Sequence, residues 1–464
     1  MKPLRNIVKT ACVLALIAAS LAILQAQATA QSGRRIAVFG SSVANGTGDE
    51  LGKEGYTGRL RALLAPKWEV LNQSRGGDNT KTMAPRFAPE GEPQPNTRYL
   101  LPVHPDYVLL GLSLGNEGIR NVSTKAEKDG VFKQFETGMK GFIERSRANH
   151  IVPIVTLCYT RMDFTEVEYE YTRRMNLAIN SWDVPSVNFL GAIDDGTGKW
   201  AKGFWFDSLH PNASGHDEIT TTFVPTLFDA LEQGKPLPAK STATEAGVRL
   251  AAGSAPLKFT VNAKVHPFAF VVSVKAEGDG ELAAISGSRL DAATGMKKID
   301  RGRGPIEFEE TTLTPAGPFA STVGVRGGRF TYTSASGSPI ASDVKADGKW
   351  HQLVVSHYTA RGETLFFVDG HLAGTVPERL ETKEFVLENA KATKPADFQE
   401  LMIYRSAVNA DEVAAIGAGK LLQASLEVYS PMADEKFLTG SSIENRAQSL
   451  SRVKVAAPGA TRAR

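Results

Sequence analysis

Cysteine is nearly missing from this chain: its 464 residues include only Cys12 and Cys158. Cys12 lies in an N-terminal apolar stretch, which leaves Cys158 alone and excludes both a disulfide framework and a cysteine-built metal site. Charge is not in excess either, with 53 Lys+Arg against 50 Asp+Glu. Lys2, Arg5 and Lys9 fall within the first 30 positions, and without them the balance is 50 against 50. No basic surface points to nucleic acid, so that partner is not expected. Long apolar runs are lacking too. The most apolar one, Ala11 to Leu24, falls short of the roughly 20 residues that span a bilayer, so no transmembrane anchor is expected. No internal repeat is found.

The cationic start, the apolar run and the small residues Ala28-Thr29-Ala30 read together as a secretory signal. Residues 1–30 are therefore set aside as a signal peptide, and the mature protein is expected to be secreted or periplasmic. What remains exceeds one typical core, so two domains are expected.

From residue 34 to 234, strand-like runs alternate with amphipathic helical stretches. The strands expected are Ile36 to Phe39, Trp68 to Leu71, Tyr107 to Leu112, Ile151 to Cys158 and Val187 to Leu190. Helical patterns cover Tyr56 to Ala65, Gly130 to Asn149, Thr165 to Trp182 and Ser214 to Glu232. Such alternation argues for an α/β domain of three layers around a parallel sheet, with functional loops at the carboxyl ends of the strands.

Those strand ends carry polar residues. Ile36 to Phe39 stops at Gly40-Ser41-Ser42-Val43, where Ser42 taken alone reads as a helix cap. Asn72 to Thr80 includes Gly76-Gly77, a turn that leaves backbone amides open to an approaching oxygen. Ser113-Leu114-Gly115-Asn116-Glu117 follows the third strand, and Asp207-Ser208-Leu209-His210-Pro211 closes the set. A serine hydroxyl needs a base to take its proton. Of the histidines in this region, His210 is best placed, because Asp207 can share its loop and orient its ring. His216 falls on the following helix, while His104 and His150 stand at the wrong ends of their strands. A cap near Asn212 to Gly215 is the plainer role for Asp207. No Gly-x-Ser-x-Gly elbow surrounds Ser42.

The order Ser42, Gly77, Asn116, Asp207 and His210 resembles the SGNH hydrolase superfamily, the GDSL-type esterases. Ser41 and Val43 replace the aspartate and leucine of its first block, and the first glycine of the third block is missing at Leu114. The fifth block stands complete at Asp207 to Pro211. The resemblance implies a catalytic triad of Ser42, His210 and Asp207. It also implies an oxyanion hole from the amides of Ser42 and Gly77 and the side chain of Asn116, with Gly76 the neighbouring alternative to Gly77. It implies no cofactor and no metal. Acyl esters, O-acetyl esters of carbohydrate above all, are the expected substrates. The alternatives are a lipase or thioesterase of the same type, and a non-catalytic glycan-binding protein with a degenerate hydrolase domain.

The proline-rich segment from Ala84 to Pro105 is expected to wall one side of the cleft, and Asp194-Asp195-Gly196 reads as a turn before it reads as a paired-carboxylate site. Residues 235–250 form a linker by composition. From 251 to 430 short β-type runs recur between turns, as in a jelly-roll sandwich. Asp347 to Val355, Leu365 to Gly370 and Leu401 to Asn409 resemble the laminin-G or concanavalin-A-like lectin fold, which implies a glycan ligand and in some members calcium. No acidic cluster marks a calcium cage, and Trp350 reads as core. Residues 431–464 are expected to be a poorly ordered tail.

Overall fold

The computed structural model describes residues 34–241, 247–300, 302, 304–432, 442–451, 453–454 and 460–463; the expected signal peptide at 1–30 lies outside the described residues. Ile36 to Phe39 is apolar at every position because both of its faces are covered. Strand β1 (Arg34–Gly40) lies inside a five-stranded sheet with β2 (Trp68–Asn72), β3 (Tyr107–Gly111), β4 (Val152–Thr156) and β5 (Ser186–Val187), all parallel, in the order β2-β1-β3-β4-β5. Ile36 and Val38 face one apolar layer with Tyr56, Leu60, Ile219 and Phe228; Ala37 and Phe39 face the other with Phe135, Met139 and Met175.

The helices that supply these layers are α1 (Ser42–Asn45), α2 (Gly55–Leu64), α3 (Thr80–Met83), α4 (Leu114–Glu117), α5 (Lys125–Ala148), α6 (Glu166–Ile179), α7 (Leu190–Ile193), α8 (Ala213–Thr221) and α9 (Leu227–Glu232). Thr124 with Glu127, and Thr165 with Glu168, form capping boxes that start α5 and α6. The long helix begins at Lys125, ahead of the expected Gly130, and the fourth strand is shorter than Ile151 to Cys158; two further differences have a clear local cause. The stretch Ser214 to Glu232 is not one helix, because Pro225 lacks the N–H a continuing helix needs. The fifth strand ends at Val187, because the Asn188 side chain accepts from the Gly191 amide at 3.0 Å and turns the chain into α7. A two-stranded ribbon, β6 (Trp205–Asp207) with β7 (His210–Pro211), stands before α8.

The second half is a sandwich of antiparallel sheets. Its strands are β8 (Gly247–Leu250), β9 (Leu257–Val265), β10 (Phe268–Glu277), β11 (Gly280–Asp300), β12 (Pro305–Arg326), β13 (Arg329–Thr333), β14 (Pro339–Lys345), β15 (Asp347–Tyr358), β16 (Glu363–Val368), β17 (His371–Pro377), β18 (Leu380–Ala390), β19 (Ala396–Tyr404) and β20 (Leu426–Ser430). One sheet runs β17-β16-β15-β10-β19-β8, with β20 beside β19 and Ala460–Ala463 beside β8; the other runs β14-β13-β12-β11-β18-β9. Phe259, Phe270, Phe385 and Phe398 fill the space between them. Gly247–Leu250, inside the segment expected as linker, pairs with β19. Trp350 is half-buried, with its ring near Gly247, rather than fully in the core.

The two halves share a buried boundary. Val271, Met402 and Tyr404 on the outer face of the first sheet pack with Val413 and Ile416 of α10 (Ala410–Gly417) and with Leu177 of α6. Asn188 donates to the Glu412 carboxylate at 3.0 Å, and Gln423 donates to the carbonyls of Trp182 and Val184 at 2.8 Å. Residues 444–451, expected in the loose tail, are also held: Lys235 donates to the carbonyls of Asn445 at 2.6 Å and Ser449 at 2.7 Å, and the Leu450 amide donates to Thr226 at 2.9 Å. Their polar composition concealed a set of hydrogen bonds back to the first domain.

Glycine is required where β1 meets the next strand. A Cβ on Gly40 would sit 2.2 Å from the Gly111 carbonyl oxygen and 2.9 Å from the Ala44 Cβ. Gly40→Ala is expected to cost about 1–3 kcal/mol by overpacking. Gly130→Ala, on an open face of α5, is expected to add about 0.5–1 kcal/mol. Urea unfolding followed by circular dichroism checks both signs.

Candidate active site

Ser42 follows the turn at the carboxyl end of β1, at the first position of α1. The Ser41 amide donates to the Gly111 carbonyl at 3.3 Å and pins that turn against β3. As the first residue of a helix, Ser42 has an amide with no intrahelical acceptor. Its hydroxyl lies 2.9 Å from His210 Nε2, and His210 Nδ1 lies 2.8 and 2.9 Å from the two oxygens of Asp207. The residues expected to form a triad therefore meet, although 168 positions separate Ser42 from His210.

Asp207 ends β6 and His210 begins β7, so the ribbon turn fixes one against the other. The Leu209 amide donates to Asp207 Oδ1 at 2.8 Å, and the Met162 amide donates to the Ser208 carbonyl at 2.9 Å. Burial pushes the Asp207 carboxyl up, but the bonds from the His210 ring and the Leu209 amide outweigh it and hold the group below its ordinary value. The cap role considered for Asp207 belongs instead to Asn212, which accepts from the Gly215 amide at 2.9 Å at the start of α8.

Around the serine opens a cleft of about 400 Å³ lined by Ser41, Ser42, Thr47, Gly76, Gly77, Asp78, Gly115, Asn116, Tyr159, Arg161, Leu209 and His210. The loop after β2 enters it because the Gln73 and Arg75 amides donate to the Val38 and Gly40 carbonyls at 2.9 and 3.0 Å, and because Arg86 anchors the buried Asp78 at 2.8 Å. Gly76 faces the serine, with a Cβ position 3.8 Å from Ser42 Cβ, and Gly77 has φ +83°, a conformation that favours glycine. Asn116 Oδ1 accepts from the Ser113 amide at 2.9 Å and from the Tyr159 hydroxyl at 3.1 Å. With both lone pairs of the oxygen engaged, the Nδ2 protons remain available to the cleft. Glu117, which follows, turns away to accept from the Thr80 amide at 2.9 Å and ties the second loop to the third.

Tyr159 and Arg161 were not singled out in the sequence. They follow β4 directly, and the rule that picked out the other strand ends applies to them as well. Burial pushes the Tyr159 phenol well up, which keeps it a donor to Asn116. Arg161 spreads its guanidinium over Asp163 at 2.6 and 2.9 Å and the Gly115 carbonyl at 3.0 Å. Residues 84–105, expected to wall the cleft, do not line it; Arg98 from this segment instead braces Asn45 Oδ1 at 2.6 Å and the Ser74 carbonyl at 2.9 Å from behind. Asp194 and Asp195 form the turn expected of them, accepting from the amides of Gly196 at 3.0 Å and Thr197 at 2.7 Å. Among the described residues no group of acidic, histidine and cysteine side chains is arranged to hold a metal ion.

Residues 38–218 match the GDSL-like lipase/acylhydrolase family. The first domain is an acylhydrolase domain of that family, which supports a carboxylic ester hydrolase. No curated protein matches the chain. Similar solved structures include a protein described as lipolytic, of the G-D-S-L family, from Desulfitobacterium hafniense DCB-2 (16% identity, 40% of this chain and 95% of that one, TM-score 0.32). Others are a lipase from a goat rumen metagenome (11% identity, 40% and 94%, TM-score 0.33) and an acetylxylan esterase from Geobacillus stearothermophilus (14% identity, 41% and 91%, TM-score 0.30).

The second histidine of this region serves the fold. His216 is buried on α8, where Nδ1 accepts from the Tyr56 amide at 3.2 Å and Nε2 donates to the Thr47 carbonyl at 3.1 Å. Burial pushes its pKa down to about 4, so the folded protein refuses a proton that the unfolded chain accepts. Stability is therefore expected to fall as the pH drops from about 6.5 towards 4. Denaturant midpoints across that range check the slope, which His216→Gln should flatten.

Proposed function

We propose that this protein is an exported serine esterase that removes short acyl groups, O-acetyl groups of carbohydrate in particular. The observation that carries the reading is the line of hydrogen bonds from Ser42 Oγ through His210 to Asp207. His210 Nε2 takes the hydroxyl proton as Ser42 attacks the ester carbonyl, and Asp207 stabilises the imidazolium on its far side. Negative charge grows on the carbonyl oxygen, and the amides of Ser42 and Gly77 with Asn116 Nδ2 stabilise it. The tetrahedral intermediate collapses as His210 returns the proton to the leaving alcohol. Water, deprotonated by the same imidazole, then releases the acid from the acyl-enzyme.

The cleft supports a short acyl group. Among the described residues that border it, Leu209 is the one aliphatic side chain longer than alanine, and such a lining offers no aliphatic trough for a long chain. The sandwich domain tilts the choice of alcohol towards carbohydrate by association, through its likeness to lectin-type folds. The run at 11–24 supports export, and no helix among the described residues is long and apolar enough to cross a membrane.

Acetate release from p-nitrophenyl acetate and from acetylated xylan tests the reading. Ser42→Ala is expected to abolish both. Asn116→Ala is expected to lower kcat by about 10²–10³-fold, with little change in KM, because a donor aimed at the developing oxyanion acts chiefly in the transition state. Hydrolysis of the aryl ester alone would overturn the carbohydrate assignment. Activity that climbs from acetyl to octanoyl esters would replace it with a lipase, and failure of every ester would leave a binding scaffold.

A further inference from the structure

The two longest strands of the sandwich outrun their sheet. β11 pairs with β18 only from Glu281 to Arg289, and β12 with β13 only from Thr322 to Arg326. From Leu290 opposite Pro315 to Asp300 opposite Pro305, the two strands pair with each other and form an arm. One side of this arm is buried against the hydrolase domain: Phe308 is 3% exposed and Thr311 1%.

What the arm covers is the ribbon that carries Asp207 and His210. The Phe308 ring meets the Phe206 ring at 5.0 Å between centroids, one residue before Asp207. The Thr311 amide donates to the Gly203 carbonyl at 2.8 Å, and the Asn212 side chain donates both to Gly203 at 2.9 Å and to the Glu309 carbonyl at 3.1 Å. Ser214 donates to Glu310 at 3.3 Å at the start of α8. The fit is close: a Cβ on Gly203 would lie 2.0 Å from Thr311 Oγ1. A lone two-stranded ribbon is marginal in water. Here the arm supports it on one side, and the Met162 amide holds the Ser208 carbonyl at 2.9 Å in its turn.

We propose that the β11–β12 arm is a positioning element of the active site: Phe308 and Thr311 of the second domain hold the ribbon so that His210 stays within 2.9 Å of Ser42. The sandwich is then part of the hydrolytic machinery and not only an appended module. The kinetic arm of the test rests on the esterase reading; the spectroscopic arm does not.

In the full chain, Phe308→Ala, Phe308→Leu and a variant with residues 291–314 replaced by Asn-Gly are compared with wild type. The readouts are kcat, KM and the downfield proton resonance of the His210 Nδ1–H held by Asp207, with far-ultraviolet circular dichroism as the check on folding. A displacement on the order of 1 Å in a catalytic group costs up to about 10²-fold in rate. Phe308→Ala is expected to lower kcat by about 10-fold with KM nearly unchanged, and the shortened arm by about 10²-fold, each with the downfield resonance broadened or lost. Phe308→Leu should recover most of the rate. An unchanged kcat and resonance in both Phe308→Ala and the shortened arm overturns the proposal. So does a rate loss that only follows loss of native dichroism. If wild type cleaves no ester, the esterase reading falls, and the resonance still decides whether the arm holds the ribbon.

Discussion

The hydrogen bond between Ser42 and His210 joins positions 168 residues apart, and the rest of the first domain answers to that requirement. A serine can be presented at a strand end cheaply, by one tight turn. Bringing an imidazole to it from the far end of the domain demands that the sheet be rigid and that the intervening loops be fixed. The close approach of Gly40 to Gly111 brings two strand ends together, and the Glu117 bond to Thr80 ties the loops that follow β2 and β3. Each contact is ordinary, but together they leave the cleft few degrees of freedom, which is what preorganised donors need.

The second domain meets the same requirement from outside. Its boundary with the first is apolar on the sheet face and is crossed by the bond from Asn188 to the buried Glu412 carboxyl. Burial pushes Glu412 up to about 7 despite its bonds from Asn409 and Asn188. Such a group favours one docking arrangement over near alternatives, because a shifted interface would take away its partner from the other domain in a dry environment. A boundary of this kind holds the domains in register instead of letting them swing, and only then can an arm from one domain hold a ribbon of the other.

Much of this was legible in the sequence where the local rule and the global fold agree. The apolar run Ile36 to Phe39, the alternation after it and the polar residues at strand ends pointed to the parallel sheet and to Ser42, Gly77, Asn116, Asp207 and His210, all but Asp207 of which line the cleft. The misses have physical reasons. Residues 84–105 looked like a wall because they follow a site loop, yet their arginines point backbone-ward and brace it from behind. Residues 444–451 looked loose because polar composition does not reveal which carbonyls will find Lys235. Tyr159 and Arg161 lie outside every family block, although their position after β4 carries the same signal as the other strand ends.

The length of β11 and β12 was the least legible feature, and the reason is instructive. Strand patterning in a sandwich reads as alternation of buried and exposed positions, and Ala292 to Asp300 has almost none, being exposed at most positions. A hairpin that leaves its sheet needs a second surface to justify its order, and that surface belongs to another domain. Nothing within the arm's own sequence could disclose it. Phe308 and Thr311 are buried only because Phe206 and Gly203 are there to meet them. The placement of His210 thus rests on residues about a hundred positions further along the chain, in a part of the sequence whose composition suggested a separate module.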